Sequence, residues 1–243
     1  MRNTAAVGMT VAICDLPIAT GQQNKSDPGN VVASDLPNSN KLIPPHEGRI
    51  PVAFAISEGV TVIDFCGPWE VFQDVMLPER GKNMEQMPFE LFTVSEKTET
   101  IKGSAGLKIV PDYTFATTPV PNIVVVPAQI GSPALHEWLR RVTEKTDVTM
   151  SVCTGAFQLA KAGLLSGRSA TTHHLFTDRL AKAFPDINVK RGVRFVEGDR
   201  ISTAGGLTSG IDLALHVVER YFGRKTAQAT ADYMEYQSKG WIG

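Results

Sequence analysis

The chain has 243 residues, a size that fits one α/β domain with an extension or two small domains. It contains 42% hydrophobic and 20% charged residues, which is ordinary for a globular protein that builds its own core without metals or disulfides. The net charge of −1 argues against nucleic-acid binding through bulk positive charge. Three cysteines are too few for a disulfide framework. No apolar run approaches the ~20 residues of a membrane-spanning helix.

The first 46 residues differ in composition from the rest of the chain. They begin with a small, apolar stretch, and residues 21–40 are rich in Gly, Asn, Ser, Asp and Pro. This composition fits either a disordered tail or a signal-like extension. We therefore expect one domain over residues 47–243. We expect a cytoplasmic protein, or an exported one if residues 1–21 are a signal peptide.

From residue 50 onward, strand-like and helix-like segments alternate. Short β-branched apolar runs predict buried strands, and amphipathic stretches between them predict helices. The predicted strands are 51–57, 89–95, 122–127 and 148–152, with a hairpin at 101–109 and two short strands within 193–202. The predicted helices are the later part of 60–75, beginning near Pro68, and 134–142, 154–165, 174–184, 208–222 and 225–237. This order predicts a mostly parallel sheet with helices on both faces, with sites beyond the carboxyl ends of the strands.

Cys153 is the strongest candidate for a reacting group. It lies between a predicted strand and a predicted helix, where a sharp turn would lift its side chain over the sheet, as in a nucleophile elbow. The small residues Gly155 and Ala156 suit such a turn. The N–H groups and partial positive charge of a helix N-terminus favour a thiolate and predict a lowered thiol pKa. A buried, unreactive cysteine is the alternative.

Asp64 is the second candidate because it ends an apolar run. A carboxylate in that place is costly unless it faces a cleft or caps a helix. It would be either an acid–base group beside Cys153 or the N-cap of a helix that begins near Pro68. Cys66 is closer to the pattern of a small core residue than to that of a site residue.

The histidines and one glycine-rich loop complete the set of candidates. His173 could orient or protonate a thiolate, whereas His174 fits a capping or core position better. His216 falls on an apolar helix face, which favours a structural role. The loop 205–210 could hold an anion, but it has no accompanying phosphate-binding fingerprint, so a tight loop is favoured. No pair of ligands shows metal-binding spacing, so we predict no metal site.

Four stretches together resemble the ThiJ/PfpI family of the class I glutamine amidotransferase-like superfamily. They are VTVIDFCGPWEVF, NIVVVP with its loop, SVCTGAFQLAKAGLLSGRSATTHH and ISTAGGLTSGIDLALHVVE, and the resemblance covers residues 50–243. Within the family, the pattern is most similar to isonitrile hydratases and to the ligand-binding domain of AraC-type regulators. The features of that branch are Thr154 after the cysteine, Asp64 as the first acidic residue and the segment ATTHH.

This resemblance implies a fold, an assembly and a chemistry. It implies a flavodoxin-like α/β sandwich, usually a homodimer, that acts on a small molecule without a cofactor. Cys153 would attack the terminal carbon of an isonitrile, Asp64 would handle the proton, and the Thr154 N–H would stabilise negative charge. Hydrolysis of the thioimidate would release an N-substituted formamide. A buried carboxyl close to a thiolate also predicts a raised pKa for Asp64.

One segment departs from the family pattern. After the central strand the family usually has Pro-Gly-Gly, and this chain has Pro127, Ala128 and Gln129. Glycine allows positive φ and close approach of a ligand. We place Ala128 and Gln129 around the substrate and oxyanion pocket, together with Gly155 and His173. The two replacements therefore predict an altered pocket and, with it, an altered substrate.

Three other functions compete with an isonitrile hydratase. They are a non-catalytic small-molecule sensor, a protein in which Cys153 is reversibly oxidised, and a glyoxalase-like or amidotransferase-like hydrolase. Asp64 and the absence of a histidine directly after the cysteine weigh against the hydrolase. The sequence has no helix-turn-helix pattern after residues 225–237, so we expect no nucleic-acid partner. Because no apolar run approaches ~20 residues, we also expect no membrane partner.

Overall fold

The computed structural model describes residues 41–45 and 47–242, which form eleven strands and six α-helices. The strands are β1 (Ile50–Ala55), β2 (Phe89–Ser95), β3 (Ile101–Lys102), β4 (Lys108–Ile109), β5 (Tyr113–Thr114), β6 (Ile123–Val126), β7 (Val148–Ser151), β8 (Ser169–Ala170), β9 (Asn188–Val189), β10 (Phe195–Val196) and β11 (Ile201–Ala204). The helices are α1 (Val62–Gln73), α2 (Pro133–Thr143), α3 (Gly155–Lys161), α4 (Thr177–Ala183), α5 (Ser209–Phe222) and α6 (Arg224–Tyr233).

The main sheet has seven strands in the order β10-β11-β7-β6-β1-β2-β5. Every neighbouring pair in it is parallel except β10 with β11. In register, Ser151 at the end of β7 lies between Val126 of β6 and Thr203 of β11. The loops that follow these three strands therefore meet at one edge of the sheet. The predicted, mostly parallel flavodoxin-like sheet is confirmed.

The hydrophobic core is divided between the two faces of this sheet. Because side chains alternate along a strand, Val52 and Phe54 of β1 pack on the face covered by α1, α5 and α6. Ala53 and Ala55 of the same strand pack on the face covered by α2, α3 and α4. Burying a side chain as large as Phe54 stabilises the fold by about 1.5–3 kcal/mol, so both faces hold the sheet in place.

Four predicted helices have bounds that differ by three residues or more in the structure. Helix α4 begins at Thr177 instead of residue 174, and α6 ends at Tyr233 instead of residue 237. The other two are α1 and α3.

Helix α1 begins at Val62 after Thr61, rather than near Pro68, which lies inside it. The proline has no N–H, so the usual hydrogen bond four residues back is missing there, but the helix continues on both sides of it. Helix α3 ends at Lys161, because the chain turns at Gly163 with a positive φ of 77°.

Several short elements were not predicted from the sequence. Strands β5, β8 and β9 contain only two residues each, too few for a periodic pattern. The hairpin of β3 and β4 and the short pair of β10 and β11 are confirmed.

The segment before β1 makes contact with the rest of the domain. The Leu42 N–H donates a hydrogen bond to the Arg220 carbonyl oxygen at 2.9 Å, so part of the predicted extension packs against α5. Residues 1–40 of that extension lie outside the described residues. In the part of the chain that the structure describes, no helix is both long and apolar enough to span a membrane.

Candidate active site

Cys153 lies in a strained turn between β7 and α3. Its φ is 58°, in the left-handed region that non-glycine residues rarely adopt. The Cys153 N–H donates to the Gly205 carbonyl oxygen at 2.7 Å, and the Thr172 hydroxyl donates to the Cys153 carbonyl oxygen at 2.8 Å. Such a backbone costs about 1–3 kcal/mol and persists only where its surroundings enforce it. This is the geometry expected of a nucleophile elbow.

Gly155 allows α3 to begin directly against the end of β6. A Cβ at this position would lie 2.0 Å from the Val126 carbonyl oxygen and 3.0 Å from that of Pro127, so no side chain fits. Thr154 precedes it as the N-cap residue, although its hydroxyl makes no capping hydrogen bond. The backbone N–H of Thr154 instead approaches the Cys153 sulfur.

Asp64 is fully buried in the first turn of α1. Its Oδ2 accepts a hydrogen bond from the Ala128 N–H at 3.1 Å, whereas its Oδ1 has no partner of good hydrogen-bond geometry among the described residues. The alternative that Asp64 caps a helix beginning near Pro68 is wrong, because the helix begins at Val62 and contains Asp64.

Burial raises the pKa of Asp64 from its ordinary value of 3.8 to about 6. Three groups oppose this rise because they stabilise the carboxylate: the N–H of Ala128, the thiol of Cys153 and the N–H of Leu207. The direction of this pKa shift agrees with the prediction from the sequence. A carboxyl with a pKa close to neutrality can both take and return a proton.

The expectation of an acidic thiol at Cys153 is wrong. Burial, followed by the charge of Asp64, raises the pKa of this thiol to about 11, and the N–H groups of Thr154 and Leu207 only partly oppose the rise. The side chain is 7% exposed, so water does little to solvate a thiolate there. Since the two groups share one buried site, the charge at neutral pH rests on the carboxyl and the proton on the sulfur.

Leu207 is the residue of this site that sequence reasoning missed. Its φ is 53°, and its N–H approaches both the Cys153 sulfur and the Asp64 carboxyl. The preceding glycine pair is the available signal. It favours a tight loop over an anion site, and neither interpretation singles out Leu207. Gly206 is needed there because a Cβ would lie 2.2 Å from Cδ2 of His173.

Ala128 and Gln129 replace the family glycines without backbone strain. Neither has a positive φ, and the left-handed turn falls instead at Gly131, with a φ of 74°. The Ala128 N–H is occupied by Asp64, while Gln129 Nε2 donates to the Ala55 carbonyl oxygen at 2.7 Å. These two residues therefore orient the acid and join strand ends. Their part in a substrate pocket stays a prediction.

His173 lies at the rim of the site. Its ring packs over Gly206 and stacks on His174 with 4.4 Å between ring centroids. Its Nδ1 accepts the Leu175 N–H at 3.3 Å, and burial together with His174 lowers its pKa, which favours the neutral ring. His174 is exposed and lies inside the short 3-10 helix His174–Phe176, so the expectation that it lies in the core or caps a helix is wrong. His173 has the capping position instead.

Cys66 and His216, the other candidates from the sequence, make contacts that fit a role in the fold. Cys66 is half-buried and packs against the core on the α1 side of the sheet. His216 is buried on α5 with Nε2 2.9 Å from a carboxylate oxygen of Glu197. Within residues 41–45 and 47–242, no group of three or more His, Cys, Asp or Glu side chains is arranged around a possible metal ion.

Comparison with known protein sequences points to one family. The family model described as DJ-1/PfpI matches residues 51–220. Isonitrile hydratase of Pseudomonas putida is 31% identical over 191 residues, which cover 76% of this chain and 78% of that protein. The HTH-type transcriptional regulator CdhR of Pseudomonas aeruginosa is 37% identical over 102 residues, but these make up only 30% of the regulator and 42% of this chain.

Comparison with solved structures leads to the same group. The crystal structure of a THiJ/PfpI family protein from Pseudomonas syringae has a TM-score of 0.66 and 26% identity, covering 79% of this chain and 77% of that chain. An AraC family transcriptional regulator from Pseudomonas putida has a TM-score of 0.66 and 18% identity, covering 76% of this chain and 99% of that chain. At 18% identity, the second match shows similarity of fold alone.

Proposed function

The chain belongs to the DJ-1/PfpI family, and from that premise we propose that it is a cysteine-dependent hydratase that converts an isonitrile into an N-substituted formamide. The observation that carries this proposal is the buried pair of Cys153 and Asp64, in which the carboxyl has an oxygen without a partner of good geometry. The similarity to isonitrile hydratase over most of both chains supports the substrate class.

The chemistry requires a proton to be delivered to carbon, which a shared thiol–carboxyl proton can supply. As the Cys153 sulfur attacks the terminal carbon, the thiol proton passes to Asp64 and from there to that same carbon, giving a thioimidate. Water then adds to this carbon, while Asp64 takes one of the water protons and passes it to the nitrogen. As the carbon–sulfur bond breaks, the proton of the remaining hydroxyl group passes through Asp64 to the sulfur, which restores the thiol and releases the formamide.

Backbone donors next to the sulfur make this sequence of steps easier. Sulfur gains negative charge as its proton leaves, and the N–H groups of Thr154 and Leu207 lie close enough to stabilise that charge. The Ala128 N–H holds one oxygen of Asp64, which leaves the other oxygen for proton transfer. A thiol that loses its proton only during attack is also protected from unwanted oxidation.

Exposed apolar side chains on the segments that carry the site residues would suit an apolar substituent on the substrate. Ile63, next to Asp64, is 38% exposed, and Leu207 is 43% exposed. Leu175, beside the rim histidine, is also exposed. Apolar side chains left in water gain free energy when an apolar group covers them. We therefore expect alkyl and aryl isonitriles to be better substrates than isonitriles with a charged group.

A second candidate is ligand binding without turnover. Two observations favour it, namely the raised pKa of the Cys153 thiol and the similarity to HTH-type transcriptional regulators. The same raised pKa weighs against a redox sensor, because oxidation proceeds through the thiolate. The homodimer and the cytoplasmic location that we expect stay predictions.

The deciding experiment follows the fate of an isonitrile on the purified full chain. Cyclohexyl isonitrile in isotope-labelled water should give N-cyclohexylformamide with the labelled oxygen in its formyl group, detected by mass spectrometry. Saturable binding of the isonitrile without formamide would instead support the ligand-binding candidate. Formamide formed equally fast by a Cys153→Ala variant would refute the cysteine-dependent mechanism.

A further inference from the structure

The loop that carries Leu207 is braced at both ends by one residue. The Arg194 carbonyl oxygen accepts the Gly205 N–H at 2.9 Å, at the start of the loop. The Arg194 guanidinium donates to the Thr208 hydroxyl at 3.2 Å, at its end. Between these two contacts lies Leu207 with its positive φ of 53°. A loop held in this way keeps a backbone that a leucine does not favour by itself.

A buried carboxylate fixes Arg194 in turn. Asp212 on α5 is fully buried and forms an ion pair with the Arg194 guanidinium. It also accepts hydrogen bonds from the hydroxyls of Ser238 at 3.0 Å and Tyr236 at 3.2 Å. The Tyr236 hydroxyl is also 3.3 Å from the Thr208 carbonyl oxygen. The segment after α6 is therefore connected to the loop beside the reacting cysteine.

We propose that Arg194 is a positioning residue for this site. Held by Asp212, which Tyr236 also contacts, it keeps the loop 205–208 in the conformation that directs the Leu207 N–H at the Cys153 sulfur. The inference rests on the proposed function as far as it concerns turnover, because that N–H would stabilise the charge that develops on sulfur. It adds a network that reaches the site through the backbone and touches no reacting atom.

The test replaces the guanidinium while keeping a positive charge. An Arg194→Lys variant retains a cation for Asp212 but cannot span both Asp212 and Thr208 with the planar fork of arginine. Its matched control is Arg191→Lys, since Arg191 pairs at 2.7 Å with Asp178 on the surface. Both variants are compared with the unmodified full chain for thermal stability, isonitrile turnover and alkylation of Cys153.

The decisive measurement is the pH profile of Cys153 alkylation, because a role in stability alone would leave this profile unchanged. Iodoacetamide labelling is followed by mass spectrometry of the peptide that contains Cys153, between pH 7 and 11.5, so that the range includes the thiol pKa of about 11. In Arg194→Lys, loss of the Leu207 donor should shift the alkylation profile to higher pH and slow labelling about threefold at pH 8. We expect a similar fall in kcat and little change in KM. Arg191→Lys should match the unmodified chain in every measurement.

A second variant tests the same network in case Arg194→Lys fails to fold. Tyr236→Phe removes only a hydroxyl, should remain folded, and should shift the alkylation profile in the same direction by a smaller amount. An unchanged profile in folded Arg194→Lys and Tyr236→Phe overturns the positioning role. A shifted profile in a chain that makes no formamide supports the positioning role and rejects the hydratase, so the two proposals fail separately.

Discussion

Two fully buried aspartates lie close to the Gly205–Thr208 loop, and their surroundings differ. Asp212 has an arginine and two hydroxyl groups as partners, supplied by Arg194, Tyr236 and Ser238. Asp64 has one backbone N–H on Oδ2 and no partner of good geometry on Oδ1 among the described residues. Burial raises the pKa of both carboxyls, and at Asp212 the charge of Arg194 is the largest opposing effect.

The difference separates a carboxylate that holds the fold from one that is available for chemistry. A buried carboxylate with a cation and hydrogen-bond donors around it orders its neighbours. A buried carboxyl with few donors keeps its proton until the pH is close to neutral, so it can exchange that proton with a substrate. The expected outcomes below would sharpen or break this distinction between Asp64 and Asp212.

Removing the partner of Asp64 should have the largest effect. Cys153→Ala should lower kcat by about 10³-fold or more, because no sulfur remains to form the covalent intermediate. Its matched control is Cys66→Ala, which changes a cysteine that packs on the core, and this variant should keep activity within about threefold. Formamide release by both variants is measured by mass spectrometry, and a large loss in Cys66→Ala would contradict the assignment.

Neutralising Asp64 should lower turnover and raise thiol reactivity at the same time. Asp64→Asn removes the proton carrier, so kcat should fall about 10²-fold. It also removes a negative charge that raises the pKa of Cys153, so alkylation of Cys153 at pH 8 should become faster. Stopped-flow turnover and peptide mass spectrometry check the two parts. Slower alkylation would show that Asp64 activates the thiol in the resting protein.

The same substitution should stabilise the fold above pH 6. The pKa of Asp64 rises from 3.8 in the unfolded chain to about 6 in the folded one, so ionisation costs folding free energy as the pH increases between these values. The full cost above pH 6 corresponds to about 3 kcal/mol. Urea unfolding should show Asp64→Asn equal to the unmodified chain below pH 4 and more stable by about 2–3 kcal/mol at pH 7.5.

Asp212→Asn should leave the fold about 1–3 kcal/mol less stable than Asp64→Asn does at pH 7.5. Burial raises the pKa of Asp212 as well, but the charge of Arg194 opposes that rise, so removing the carboxylate relieves less strain than it does at Asp64. The substitution also leaves Arg194 without its buried partner, although the arginine side chain is 34% exposed and can recover some hydration. Urea unfolding of the two variants side by side measures the difference. An equal gain in stability from both substitutions would remove the distinction between the two carboxyls.

Restoring a family glycine should have the smallest effect. Ala128 has an ordinary backbone conformation, and its N–H reaches Asp64 without help from a positive φ. Ala128→Gly should therefore keep kcat within about threefold and cost less than about 1 kcal/mol, chiefly through the greater freedom of the unfolded chain. An increase in kcat above tenfold would show that the methyl group restricts the site.

Local features of the site were predictable, and the contacts between distant segments were not. The turn at Cys153 follows from a strand and a helix that adjoin in sequence. The N–H of Leu207 has no signature of its own, since every residue except proline carries that group. The thiol pKa was mispredicted because burial and the charge of Asp64, 89 positions earlier in the chain, outweigh the start of a short helix.

The order of apolar and amphipathic segments was sufficient to determine the parallel α/β fold, and the family motifs indicated Cys153 and Asp64, which the structure brings together. Tertiary structure alone decided the protonation of that pair, the donor at Leu207 and the bracing of its loop by Arg194 and Asp212. Alternation of residue types is a local property that a sequence displays directly. Proton affinity and loop conformation depend on burial and on partners far along the chain, which exist only after folding.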